Sequence, residues 1–520
     1  MALYVYSAAF FTVIALWKWS SGWKSKLPLP PGPPKLPLVG NLFDMPSTFE
    51  WETYMKWSQT CDSDILHLNV AGTSIIVLSS AEAANDLLEK RSSIYSDRQA
   101  AVFSARLPMV NELMGWDFTF GQRKLAKMIP RRKHRRLFPQ AFNATAVRSY
   151  HPKERAATHE LLRRLLRDPD NVMEHLRHMA GDIIMSVAYG INVLPQNDPF
   201  IKLAKDAVHT LVIASVPGRF LVDTFPALKY VPEWFPGAGF KRTAKEWRKL
   251  ARAMIDSPFA EAKRNIVSSR RKCPNFVSVF LSKIDGADDK EQQEQSVKEI
   301  AGNMYTGGAD TSVSALGTLF LAMLANPEAQ KKAQIEIDSV VGAGRLPNFD
   351  DEDSLPYVSA LVKEVLRWRS VTPIAIPHFL SIDDEYKGYR LPAGSIVIPN
   401  AWAILHDATV YPDPYTLNPD RFLLDGKPNP AVRSPDAAFG FGRRVCPGRH
   451  MARASVFIAA VSVLATFDIT KAVGEDGQAL EPTYEYFSGL VSMPLPFKCS
   501  IKPRSQRSVE LIRATLDDVD

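Results

Sequence analysis

The sequence predicts a mainly α protein with small β-sheets. Three observations carry this. Long segments repeat apolar residues with the period of a helix, as in Lys153 to Leu166 and Asn326 to Val341. Runs rich in β-branched residues are few and short: Ile65 to Val70, Ser74 to Leu78 and Ser395 to Ile398. The 520 residues show no repeat or low-complexity tract, and 46% are hydrophobic, enough for a large buried core. Length alone would divide such a chain into two to four ordinary domains.

Composition excludes several classes. The four cysteines (Cys61, Cys273, Cys446, Cys499) are far apart, without C-x-x-C spacing for zinc and too sparse for a disulfide framework. A reducing compartment fits them best. Net charge is +7 and the pI about 9.0. The basic residues cluster, as in Lys241 to Arg252 and Arg131-Arg132-Lys133-His134-Arg135-Arg136. Such runs are solvated faces, or they meet anionic lipid or an acidic protein surface. No stacking-aromatic module accompanies them, so nucleic acid is not an expected partner.

In chain order, Met1 to Trp17 is uncharged and largely apolar, and Lys18, Lys24 and Lys26 follow. A spanning helix needs about 20 residues, so this stretch is at the short end. A cleaved signal peptide is the rival. No basic residue precedes the apolar run and no small-x-small site precedes Lys18, so a retained anchor is the reading, with its basic flank in the cytoplasm. Leu27 to Pro37 then carries proline at a density no helix tolerates and predicts a stiff, extended spacer. Gly40-Asn41 opens the globular part. Asn143-Ala144-Thr145 matches a glycosylation acceptor, but a cytoplasmic domain would not meet the modifying enzyme.

Ala301-Gly302-Asn303-Met304-Tyr305-Thr306-Gly307-Gly308-Ala309-Asp310-Thr311-Ser312 lies within apolar periodicity running from Ile300 to Met323. One long helix is predicted, ending near Asn326-Pro327. Each glycine in its middle costs about 1 kcal/mol against alanine. Local rule-breaking of this kind marks either a site or a tight helix–helix contact with Asp310 as a structural hydrogen-bonder. Further on, Glu364 and Arg367 share one helical face at i, i+3, a spacing that usually gives a surface ion pair of little worth. Last comes Phe439-Gly440-Phe441-Gly442-Arg443-Arg444-Val445-Cys446-Pro447-Gly448. Its glycines allow close backbone approach to a large flat ligand, Arg444 offers a planar fork for a carboxylate, and Cys446 offers a soft, electron-rich iron ligand.

This last string resembles the haem-ligand signature of the cytochrome P-450 family, Phe-x-x-Gly-x-Arg-x-Cys-x-Gly, at every fixed position. Gly307 to Ser312 looks like the same family's oxygen-binding helix, Glu364-x-x-Arg367 like its Glu-x-x-Arg motif, and Pro419-Asp420-Arg421-Phe422 like the partner segment of that motif. Tyr95-Ser96-Asp97-Arg98 and the ending from Pro494 to Arg504 are similar to fungal microsomal members. The resemblance spans essentially everything after the proline-rich hinge.

It implies one large helical domain over 42–520, preceded by an anchor and basic flank (1–26) and a hinge (27–41), with haem b (iron protoporphyrin IX) between the oxygen-binding helix and the cysteine loop. Cys446 would be the axial thiolate, pushing electron density toward O–O cleavage, as in the family. Thr311 and Asp310 would hydrogen-bond and feed protons at the oxygen site beside Gly307. Phe439 would sit against the cofactor. Arg444, His378 and Arg135 would take the haem carboxylates. Glu364, Arg367 and Arg421 would lock the cysteine loop from behind, a structural role. One departure stands out: Arg131 occupies the tryptophan position of the family's Trp-x-x-x-Arg motif, and the 121–133 segment is atypical.

The implied activity is insertion of one atom of O2 into a lipophilic small molecule. Apolar residues such as Phe103, Met304, Ile374, Ile376 and Phe487 in the stretches analogous to the family's pocket agree with that. No flavin or nicotinamide module fits in the remaining residues. Electrons would therefore come from NADPH through a membrane NADPH–cytochrome P-450 reductase docked on the basic face, with cytochrome b5 as a second donor. The implied location is the endoplasmic reticulum membrane, and the implied context fungal secondary metabolism of terpenoids or polyketides, with detoxification as the alternative. Two other classes share the iron site. An isomerase or dehydratase would work without O2 and needs no proton relay; a gas sensor would need an output domain.

Overall fold

The computed structural model describes residues 27–97, 138–214, 220, 222, 226–268 and 274–516, without 285 and 287. The helical body is built around α1 (Glu50–Thr60), α2 (His151–Arg167), α3 (Val172–Ile184), α4 (Lys290–Ala325), α5 (Pro327–Val340), α6 (Pro356–Trp368) and α7 (Arg449–Thr466). Helix α4 runs through the centre, packed against α3, α6 and α7. From Val313 to Leu324 every one of its side chains is buried. That explains its near-continuous apolar run: a helix surrounded on all sides has no polar face to display. By length and composition α4 could cross a membrane, but 72% of its most apolar window is buried inside the protein.

The turns between helices follow local rules. Pro327 and Pro356 open α5 and α6, where a missing N–H removes no helical bond. The free N–H groups of Tyr357 and Val358 at the start of α6 donate to the carboxylate of Glu336 on α5, at 2.8 and 2.9 Å. Helix α6 is thereby fixed in position as well as in direction.

A four-stranded sheet flanks this body: β1 (Ile65–Val70), β2 (Thr73–Leu78), β3 (His378–Phe379) and β4 (Ile396–Pro399), in the order β1-β2-β4-β3. Strands β1 and β2 form a hairpin pairing Ile65 with Leu78, and β2 lies parallel to β4. Most of the helical body intervenes between those parallel partners, so the sheet joins the two ends of the domain. His378 pairs with Val397, which fixes β3 at the sheet edge.

The proline-rich stretch rests on this sheet. The His67 N–H donates to Pro31 O at 2.8 Å, and a Cβ at Gly32 would come within 2.5 Å of His67 O. Asn41, fully buried, donates to Pro34 O and accepts from the Asn69 N–H, both at 3.0 Å. The expected anchor over 1–26, and Arg135 with the atypical 121–133 segment, lie outside the described residues.

Candidate functional site

The Phe439–Gly448 loop is shaped by its backbone. Gly442 adopts φ +59°, and a Cβ there would lie 1.9 Å from Leu88 O, so no other residue fits without displacing the 85–90 turn. The Cys446 N–H donates to Phe439 O at 2.8 Å, closing the loop around the thiol. Helix α7 begins three residues later. Burial pushes the Cys446 thiol up, while the Gly448 N–H and the Arg449 charge act the other way. The helix start adds positive potential, the environment in which a thiolate bound to a cation is favoured. Phe439 is half-buried against the main core and its ring lies 5.0 Å from the Arg453 guanidinium.

Two of the three expected carboxylate partners converge on one segment. Arg444 Nε donates to Ser96 O at 2.6 Å, and His378, buried at 3% exposure, bonds Tyr95 O through Nδ1 at 2.9 Å. That segment is itself anchored: Tyr95 OH and Arg91 both bond the Asp384 carboxylate, at 2.9 Å each. The Ser96 hydroxyl is buried and lacks a hydrogen-bond partner among the described residues.

On α4 the two glycines separate the two readings of their sequence. A Cβ at Gly308 would meet Ile184 of α3 at 2.7 Å, so this glycine serves close helix packing. A Cβ at Gly307 would meet nothing within 4 Å, and the residue is exposed although it sits mid-helix between buried Met304 and Ala309. One turn later Thr311 lies on the same face and its hydroxyl donates to Gly307 O at 2.7 Å, a back-bond that loosens the helix. Burial pushes the adjacent Asp310 carboxyl above its usual range, partly offset by the charge of Arg177 on α3.

The third group is complete. Glu364 and Arg367 are wholly buried, and the Arg421 side chain is 4% exposed. Glu364 accepts from Arg367 Nε (2.7 Å) and Nη2 (2.8 Å), from Arg421 Nε (3.1 Å) and from the Asn418 N–H (2.8 Å). Arg367 also donates to Leu405 O, and Arg421 to Pro412 O. Such spacing usually gives a surface pair of little worth; here the pair is a buried hub joining α6 to the 405–421 segment.

A soft ligand at a positive helix start, cationic and imidazole groups converging on the Tyr95–Ser96 backbone beside an unpartnered buried hydroxyl, and open space beside Gly307 fit a flat, metal-bearing ligand with carboxylates. Haem has that chemistry. Sequence reasoning missed Arg177, Leu88 and Asp384. Their partners are remote in sequence (Asp384 stands 293 residues from Arg91), so no local signal pointed to them.

Comparison with known proteins covers nearly the whole chain. The cytochrome P-450 family model matches residues 30–501. Cytochrome P450 monooxygenase 98 of Postia placenta is 49% identical over 494 residues, covering 94% of this chain and 93% of that protein. Cytochrome P450 monooxygenase ple1 of Rhodocybe pseudopiperita is 44% identical over 509 residues, covering 97% and 95%. Tryptamine 4-monooxygenase of Psilocybe cyanescens is 42% identical over 494 residues, covering 93% and 94%.

Proposed function

The chain belongs to the cytochrome P-450 family and is a haem monooxygenase, and we propose that it hydroxylates or epoxidises a lipophilic small molecule with electrons from NADPH through a membrane reductase. In this reading Cys446 would hold the iron through its thiolate, Arg444 and His378 would take the haem carboxylates, and Phe439 would pack beside the ring. When bound, haem supplies the iron at which dioxygen is reduced and activated.

The observation that carries the reading is the acid–alcohol pair on α4. Thr311 holds its hydroxyl above the open face at Gly307, where it can exchange its bond to Gly307 O for one to an incoming oxygen atom. Asp310, with its carboxyl raised by burial, keeps a proton closer to neutral pH than an exposed aspartate and can pass it toward Thr311. The charge of Arg177 on α3 partly offsets that rise. An isomerase or dehydratase would not require such a relay, which is why the oxygenase reading is favoured.

The remaining assignments rest on the sequence. The apolar Met1–Trp17 run with Lys18 behind it supports an endoplasmic reticulum anchor with the catalytic domain in the cytoplasm. The basic balance supports docking of an acidic reductase face, with cytochrome b5 as a second donor. The fungal relatives fit the proposed setting of secondary metabolism, in which a terpenoid or polyketide is the proposed substrate. One relative is named for action on tryptamine, which adds aromatic amines to the class to be tried.

The test is expression of the full chain in yeast with a reductase, fed a panel of terpenoid, polyketide and indole-amine compounds. Oxygenated product that needs both O2 and NADPH is expected. Turnover that continues without O2 or reductase would move the protein to the isomerase class.

A further inference from the structure

We propose that Arg369 is a positioning residue for substrate: a cation gripped by three aromatic rings that holds the segments 371–376 and 487–491 in place against α4. The inference rests on the reading above in one respect, that the stretches holding Ile374, Ile376 and Phe487, which are analogous to the family's pocket, line the substrate cleft.

Arg369 follows the last residue of α6 and carries no ion pair among the described residues. Its Nε is buried and lacks a hydrogen-bond partner there. What surrounds the guanidinium instead are rings: Trp368 at 5.1 Å, Tyr486 at 5.1 Å and Trp402 at 5.7 Å, all within the range at which a ring face attracts a cation. The three rings come from three separate parts of the chain. A neutral side chain of the same volume would fill the space but lose the attraction, because that attraction is to the charge. Arginine suits the place better than lysine, since its flat, weakly hydrated head stacks on rings. The positive charge is also felt by His406, stacked on Trp402 at 3.8 Å.

Two of the three rings lead to the walls of the cleft. Tyr486 precedes Phe487 and its OH donates to Thr318 of α4 at 3.2 Å. The Ser492 N–H donates to Val371 O at 2.9 Å, joining the two segments directly, and Ser314 of α4 bonds Ser492 O. The backbone N–H of Trp402 donates to Pro373 O at 2.9 Å. Arg369 therefore sits where both segments meet the helix that carries Asp310 and Thr311. Loosening it would let the segments shift relative to that helix without touching the cysteine loop.

The experiment compares Arg369→Lys and Arg369→Gln in the full-length haem-loaded protein. Hydrogen exchange of the 486–493 peptide is one readout, and binding of 4-phenylimidazole, followed by its optical shift, is the other. Arg369→Gln should exchange this peptide about tenfold faster and bind the probe about tenfold more weakly, with Arg369→Lys within about threefold of wild type. Exchange and binding unchanged in Arg369→Gln overturn the proposal. So does a lysine variant as loose as the glutamine variant, because charge would then not be the grip. If Arg369→Gln fails to fold, Tyr486→Phe and Tyr486→Leu decide it: the phenylalanine variant should keep most of the protection and the leucine variant lose it. Equal losses in the two contradict it. A wild-type protein without a thiolate-type carbonyl spectrum would sink the functional reading alone, and the exchange comparison would stand.

Discussion

Replacing Glu364 by alanine should destabilise the protein more than any surface change. The carboxylate is wholly buried and accepts four hydrogen bonds, three of them from two guanidinium groups. Its removal leaves Arg367 and Arg421 facing each other without a counter-charge, and the Asn418 N–H without an acceptor. Breaking a buried ion pair from one side costs about 3–5 kcal/mol, because a buried charge is left uncompensated. The orphaned amide adds about 1–3 kcal/mol, although the two losses share one cavity and do not simply add. Total domain stabilities are about 5–15 kcal/mol, so the variant should be close to unfolded at physiological temperature. Urea titration of the full chain, followed by tryptophan fluorescence, measures this. Glu246→Gln serves as the control, since Glu246 pairs with Lys249 with both side chains about two-thirds exposed. That variant should not move the midpoint measurably. If Glu364→Ala lowers stability by less than about 1 kcal/mol, the hub is not a stability element and the argument from burial is wrong.

Three further outcomes follow from the same geometry. Thr311→Ala should consume NADPH without matching product and release hydrogen peroxide; full coupling in an NADPH-to-product ratio would refute the proton relay. Gly442→Ala should lose haem during purification, since a Cβ there lies 1.9 Å from Leu88 O at φ +59°; normal haem retention would show that the 85–90 turn yields. Burial pushes the Glu154 carboxyl up to about 8, against an ordinary 4.5, with only Ser455 bonding one of its oxygens. The folded state thus holds a proton that the unfolded state releases between those values, and stability falls as pH rises through that window, by up to about 1.4 kcal/mol per unit. Glu154→Gln should flatten the decline in a pH series of urea midpoints, and an unchanged slope would assign it elsewhere.

The sequence made much of the fold legible because helical period and burial coincide. Lys153 to Leu166 lies within α2, Asn326 to Val341 brackets α5, and the Asn326-Pro327 stop ends α4 one residue early. The three β-rich runs became the main sheet strands to within a residue at either end. Motif chemistry likewise placed Glu364 and Arg367 on one face. What spacing could not supply was depth: an i, i+3 pair has the same sequence on a surface as in a core. The paired glycines show the same limit. Gly307 and Gly308 are identical in sequence terms, yet one faces open space and the other Ile184, and helix rotation alone decides which. Partners such as Ser96 for Arg444, Arg177 beside Asp310 and the three rings around Arg369 depend on contacts between remote segments. They appear only once the chain is folded.

The most direct test is optical. Reduced wild-type protein exposed to carbon monoxide should give the absorption band that only sulfur-ligated haem produces, and Cys446→Ser should lose it while Cys61→Ser and Cys499→Ser keep it. A band typical of nitrogen ligation in wild type, or a thiolate band surviving in Cys446→Ser, would contradict the account at its centre.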